Sequence, residues 1–158
     1  MTSAVADIRI VRYRPAHAEA WRSMNEAWLV DGGYEIEAKD QLVLGDPQGA
    51  ILSKGGAIFI AEIDGAPVGC CSLMAMPDGG FEVGKMAVDG TARGRGLGRA
   101  MLEACEEYAR AAGAPRLYLE TNAAQAHAIA IYHRFGFVDL PAQPTPYARC
   151  NVWMEKPL

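Results

Sequence analysis

Long apolar runs are missing from this chain of 158 residues: no stretch of strictly apolar residues exceeds five, at Ala57–Ala61 and Ala128–Tyr132. A membrane span needs about 20 mostly apolar residues, so no membrane association is expected. Residues Met1 to Pro15 also lack the apolar segment of a secretory leader. Histidine is scarce, and His17, His127 and His133 form no H-E-x-x-H pattern, while Cys70, Cys71, Cys105 and Cys150 form no C-x-x-C pair. A zinc centre therefore has no support, and no metal is expected. Adjacent Cys70 and Cys71 would point to opposite faces of a strand, which suits buried thiols better than a bridge, and a reducing cytoplasm is the expected setting. Positive charge is not in surplus: a net charge of −4 argues against nucleic acid as a partner.

What remains is an ordinary globular composition, 51% hydrophobic and 22% charged, in a length that suits about one domain. No self-similarity at solenoid periods and no linker interrupts it, so residues 1–158 are read as a single domain. Ile8–Tyr13 reads as an edge strand. A helix over His17–Trp28, opened by Pro15 and broken at Gly32-Gly33, precedes a weaker helix over Glu35–Leu44 that Asp46-Pro47 closes. Ala57–Ile63, Pro67–Met76 and Phe81–Val88 form a meander of strands turned at Asp64-Gly65 and at Pro77–Gly80. On the third strand, alternation puts Glu82 on one face with Gly84, Met86 and Val88, opposite Phe81, Val83 and Ala87. Next comes an amphipathic helix with a stripe of Leu97, Met101, Cys105 and Tyr108, stopped by Gly113. Strand Arg116–Thr121, a short helix Gln125–Phe135, extended Phe137-Val138, a proline-rich loop and an alternating strand Tyr147–Glu155 complete the chain. The order β-αα-βββ-α-β-α-ββ implies an α/β (α+β) fold, a mixed sheet with helices on both sides.

Three of the eleven arginines fall at Arg93, Arg95 and Arg99, interleaved with Gly94, Gly96 and Gly98 where the amphipathic helix begins. The N-terminus of a helix offers unpaired N–H groups and a positive dipole end, glycines let a ligand approach them, and arginine forks match phosphate. A diphosphate is the natural guest. The dinucleotide pattern G-x-G-x-x-G fails at Arg99, and Gly79–Lys85 fails as a P-loop because Met86 stands where Ser or Thr is required. By itself the segment also fits a plain strand-to-helix turn.

It is not by itself. Arg93-x-x-Gly96-x-Gly98 after Met86-Ala87-Val88 resembles the Q/R-x-x-G-x-G/A acyl-CoA motif of the GNAT N-acetyltransferases. Ala128-Ile129-Ala130-Ile131-Tyr132-His133-Arg134-Phe135-Gly136-Phe137 resembles that superfamily's A-I-x-L-Y-x-x-x-G-F segment, and Glu120-Thr121-Asn122 resembles its strand end. The matching region runs from about Ala57 to Phe137. The resemblance implies a single GNAT-like domain with a mostly antiparallel sheet of about seven strands, splayed at an acetyl-CoA cleft and flanked by about four helices. Met86, Ala87 and Val88 would run beside the pantetheine arm, with main-chain groups of Met86 and Val88 pairing to it. Arg93, Gly94, Arg95, Gly96, Leu97, Gly98 and Arg99 would hold the pyrophosphate. Asp89-Gly90 stands where the family usually has proline, so a looser turn is expected there.

In that chemistry an amine attacks the thioester directly, and two proton movements are needed. The resemblance makes Tyr132 the acid facing the thioester sulfur; without the motif it reads as a packed helix tyrosine. Glu82, a carboxylate on an otherwise apolar strand, is either the base, through a water, or the binder of the acceptor's ammonium. Trp28, Tyr34, Glu120, Tyr147 and Arg149 are candidates for the acceptor pocket, and His127 and His133 are expected to face solvent. The expected activity is acetyl transfer to a small-molecule amine or amino acid, and a homodimer is the partner the resemblance adds. A peptide or protein acceptor, and a non-catalytic acyl-CoA sensor, are the alternatives.

Overall fold

The computed structural model describes residues 6–158; part of the leader reading, residues 1–5, lies outside them. The chain runs β1 (Ile8–Arg12), α1 (Ala18–Asp31), α2 (Ala38–Gly45), α3 (Pro47–Ala50), β2 (Ala57–Ile63), β3 (Ala66–Ala75) and β4 (Phe81–Val88). There follow α4 (Leu97–Ala111), β5 (Arg116–Thr121), α5 (Ala126–Phe135), β6 (Val138–Leu140) and β7 (Val152–Pro157). The strands form one seven-stranded sheet in the order β1-β2-β3-β4-β5-β7-β6. Every pairing is antiparallel except β4 with β5. Asp64 and Gly65 both take positive φ, 50° and 82°, the type I′ geometry that matches the twist of a two-residue hairpin.

Both faces of the sheet are covered. On one, α4 lays Leu97, Met101, Cys105 and Ala109, spaced four apart, onto Phe59, Leu73, Phe81 and Leu117. On the other, Trp21 of α1 with Val43 and Leu44 of α2 covers Ile58, Ile60 and Cys70. Each large side chain so buried contributes about 1.5–3 kcal/mol. Cys70 and Cys71 do face opposite cores, both fully buried.

One local expectation is extended and two are corrected. Asp46-Pro47 closes the second helix, whose last turn takes the Asp46 N–H on the Leu42 carbonyl, and it also starts another: the Asp46 carboxylate accepts from the Gly49 N–H and Pro47 occupies the first turn of α3, where a missing N–H costs nothing. The final strand begins at Val152 rather than Tyr147, because β5 ends at Thr121, the partner of Val152. The preceding segment meets its polar demands sideways, with Asn122 Nδ2 donating to the Arg149 carbonyl at 2.7 Å and the Ala123 N–H donating to Asn151 Oδ1 at 2.9 Å. The turn after β4 is not loose either: Asp89 Oδ1 accepts from both the N–H and the hydroxyl of Thr91, at 2.9 and 2.7 Å.

Candidate active site

Alternation along β4 breaks at one residue, and the site is built on the break. Ser72 of β3 pairs with Gly84 but Cys70 pairs with Ala87, so Cys71 faces both Lys85 and Met86. Lys85 takes φ 50°, a left-handed conformation uncommon outside glycine, as a bulge of this kind requires. Beyond the extra residue the faces exchange. Phe81, Val83, Met86 and Val88 all pack toward the α4 side, while Ala87 turns into the α1 side. The alternation that placed Glu82 with Met86 and Val88 is thereby overturned.

At the same place the sheet opens. The parallel pair β4–β5 holds for three rungs, Phe81↔Leu117, Glu82↔Tyr118 and Val83↔Leu119, and then the strands part. Two cavities occupy the cleft. The larger, about 640 Å³, is lined by Met86, Val88, Arg93, Gly94, Gly96, Leu97, Gly98 and Arg99, with Tyr132 on its wall. The smaller, about 340 Å³, takes in Glu82, Glu120, Trp28, Tyr34, Tyr147 and Arg149, again with Tyr132. Met86, Trp28, Thr121 and Tyr132 belong to both walls, so the cavities meet there. Of the residues expected around the diphosphate and the arm, Ala87 is buried on the other face and Arg95 is exposed away from the wall.

The larger cavity ends on the uncapped N-terminus of α4. Gly94 and Gly96 take φ of 81° and 73°, and a Cβ at either would meet open space. No side chain caps α4, and its first turn carries no acid. Arg99 sits in that turn, at the positive end of the helix dipole where a cation is unfavourable. A bound phosphate reverses the sign of that interaction. Arg99 meanwhile leans on Glu103 at 3.1 Å and over the Phe135 ring.

In the smaller cavity Glu82 is half-buried, and burial together with the charge of Glu120 pushes its carboxyl up to about 7, against the pull of Lys85 and Lys39. Glu120 is engaged on both oxygens, by the hydroxyls of Tyr118 at 2.8 Å and Thr145 at 2.7 Å. Tyr132 is buried edge-on against Phe137, and burial raises its phenol well above the usual range. The thiols of Cys71 and Cys105, 3.7 Å apart and close to Tyr132, add to that rise. Trp28 and Tyr34 stack at 5.5 Å, and Tyr147 lies under the Arg149 guanidinium at 4.4 Å.

The profile of the Acetyltransferase (GNAT) family matches residues 14–137. The chain belongs to the GNAT family. It is 43% identical over 105 residues, 63% of this chain and 67% of the relative, to an IAA acetyltransferase of Azospirillum brasilense. It is 29% identical over 146 residues to a mycothiol acetyltransferase of Acidothermus cellulolyticus, covering 83% of this chain and 45% of that one. The chain thus spans about two thirds of the first of these curated relatives and under half of the second. Among solved structures, an acetyltransferase of the GNAT family from Staphylococcus aureus superposes with a TM-score of 0.86 at 20% identity, covering 96% of this chain and 99% of that one. The PaiA N-acetyltransferase of Thermoplasma acidophilum, solved in complex with coenzyme A, gives 0.79 at 16% identity with coverage of 96% and 99%. These two likenesses speak for the fold.

This GNAT site contains residues that the sequence reading passed over. Asp40 of α2 is fully buried, takes a bidentate grip from Arg149 at 2.7 and 2.8 Å and receives the Lys85 ammonium as well. Glu37 holds Arg149 from the side at 3.2 Å. These partners hold the Asp40 carboxyl down at about 2 against its burial. Ser72 is fully buried, lines the smaller cavity, and its hydroxyl has no protein partner among the described residues. No spacing announces Asp40 or Lys85, since one belongs to a helix and the other to a bulge. A lysine on a strand that is otherwise apolar apart from Glu82 was the one available signal. His127 and His133 are exposed as expected, although His127 stands on the rim of the larger cavity.

Proposed function

We propose that this protein moves an acetyl group from acetyl-CoA to the primary amine of a small molecule, by direct attack within a ternary complex. One observation carries the reading: a cavity ending on an open helix terminus and a cavity holding Glu82 meet at Met86 and Tyr132. Acetyl-CoA fits the larger cavity, its diphosphate on the N–H groups that open α4 and its arm along the unpaired edge of β4 at Met86 and Val88.

An alkylammonium of pKa near 10 must lose a proton before it attacks. Glu82, poised at about 7, accepts it at neutral pH. The unpartnered Ser72 hydroxyl lies across the ladder from Gly84, beside Glu82, and suits a water that relays the proton. The amine nitrogen then bonds the thioester carbon, the carbon–sulfur bond breaks, and the electron pair leaves on sulfur. Tyr132 supplies a proton to that sulfur and regains one from solvent. Its raised pKa keeps the phenol protonated throughout the neutral range. The neighbouring Cys71 thiol is raised too, first by its contact with the Cys105 thiol and then by burial, and burial of a leaving thiolate in the same surroundings would also favour its protonated form. Four free cysteines fit a reducing compartment such as the cytoplasm.

Thermal-shift titration with acetyl-CoA, CoA and ATP tests the cofactor site. Both CoA species should raise the midpoint with concentration and ATP should not. Release of CoA thiol with a broad amine panel tests transfer. Binding with no release of thiol from any amine would leave only an acyl-CoA sensor.

A further inference from the structure

Three cations and two acids reach the smaller cavity: Lys39, Lys85, Arg149, Glu82 and Glu120. Most of that charge is already spent within the protein. Lys85 and Arg149 converge on Asp40, with Glu37 also on Arg149, and both oxygens of Glu120 accept hydroxyls. Lys39 and Glu82 are left. Among the described residues neither forms an ion pair or a side-chain hydrogen bond, and they do not pair with each other although both line one cavity and Lys39 is near enough to draw on Glu82. Both are half-buried. Two partly desolvated charges of opposite sign that face one space without meeting are each costly as they stand, and a ligand carrying the complementary pair relieves both.

We infer that the acceptor is a zwitterion, an amine bearing a carboxylate, with its nitrogen at Glu82 and its carboxylate on Lys39. This rests on the acetyltransferase reading and adds to it the class of acceptor and the residue that selects it. The stacked Trp28–Tyr34 pair on the same wall, 5.5 Å between rings, offers an apolar surface to the acceptor's side chain. An amino acid with an apolar or aromatic side chain fits all three features.

The test uses matched pairs: each of a set of apolar and aromatic amino acids beside the amine that lacks only its carboxylate, with the wild-type protein, Lys39→Gln and Lys39→Glu. The wild type should show a lower KM for the amino acid of at least one pair. Lys39→Gln should raise that KM by about tenfold, the value of one charge-assisted contact, and leave the decarboxylated amine within about twofold. Lys39→Glu should invert the preference. Unchanged affinity for CoA and an unchanged Tm in both variants separate this from unfolding. Equal use of both members of every pair by the wild type, or an equal rise in KM for both in Lys39→Gln, overturns the inference. So does a protein that binds CoA and takes no amino acid. A protein that binds neither acetyl-CoA nor CoA overturns the acetyltransferase reading itself.

Discussion

Lys85 and Asp40, 45 positions apart, meet between the bulge of β4 and the second helix, and Arg149 closes on the same carboxylate from the C-terminal loop. Three distant segments are thus tied at one buried oxygen pair. Asp40→Ala leaves the Lys85 ammonium without its counter-ion and Arg149 with Glu37 alone, and should cost about 3–5 kcal/mol, or roughly 10 °C in Tm for a chain of this size. The sign with pH follows from the lowered pKa. Asp40 is held at about 2 in the fold against 3.8 outside it, so its contribution is complete above 3.8 and is lost as pH falls through 2. The denaturation midpoint should fall more between pH 5 and 2 in the wild type than in Asp40→Asn, which has no carboxylate there to protonate.

Glu82 should carry the acidic limb of the rate profile, with kcat/KM rising through a midpoint near 7. Glu82→Gln should abolish that limb and lower turnover about 10²-fold. Its effect on stability has the opposite sign. Because the folded carboxyl keeps a proton that the unfolded chain has released, wild-type stability falls as pH rises from 4.5 to 7 and is level above. Glu82→Gln should therefore be the more stable protein at pH 8, by on the order of 1–3 kcal/mol, and equal stability there would refute the buried state of Glu82.

Tyr132→Phe should lower kcat by about 10²-fold and leave CoA affinity within about twofold. Turnover assays and calorimetry read the two separately. A loss of equal size in both would reduce Tyr132 to a packing residue of the shared wall.

Gly98 has no unusual φ and its Cβ would lie 3.9 Å from Met86 Sδ, so a side chain fits the backbone and projects into the channel. Gly98→Leu should fold normally, with a helix propensity gain of about 0.5–1 kcal/mol, and lose CoA binding. Gly96→Val tests the same space with an added cost of about 1–3 kcal/mol, because φ is 73° there. Retained affinity in Gly98→Leu would remove the anion site from the mouth of α4.

The sheet, its order of elements and the glycine-rich mouth of α4 were legible because each has a local signature: the short apolar runs of β2 and β3 bounded by turn residues, the Asp64-Gly65 turn, the four-residue spacing of Leu97, Met101 and Cys105. Glu82 and Tyr132 stood out in the sequence as an acid among apolar neighbours and as part of a motif, and both line the smaller cavity. The bulge was not legible. Lys85 gives no sign of a left-handed φ, and the shift in register shows only when β3 is laid against β4. Asp40 stayed hidden for a related reason. An acid in the first turn of a helix reads as a solvated cap, and only its tertiary partners Lys85 and Arg149 explain why it is buried. The run Tyr147–Glu155 alternates convincingly but has lost its neighbour at Thr121, which no pattern within the run reveals.

The three-rung pairing of β4 with β5 leaves an interior pair of strand edges, unlike the outer edges that β1 and β6 present. An extended ligand arm can hydrogen-bond to such an edge as an added strand does, main chain to amide, whatever side chains line the way. On the acetyltransferase reading proposed above, affinity for the arm would be written in backbone geometry and survive substitution, whereas selection of the acceptor would hang on a few side chains. The two halves of the cleft would then be free to diverge at different rates, one guest kept while the other changes.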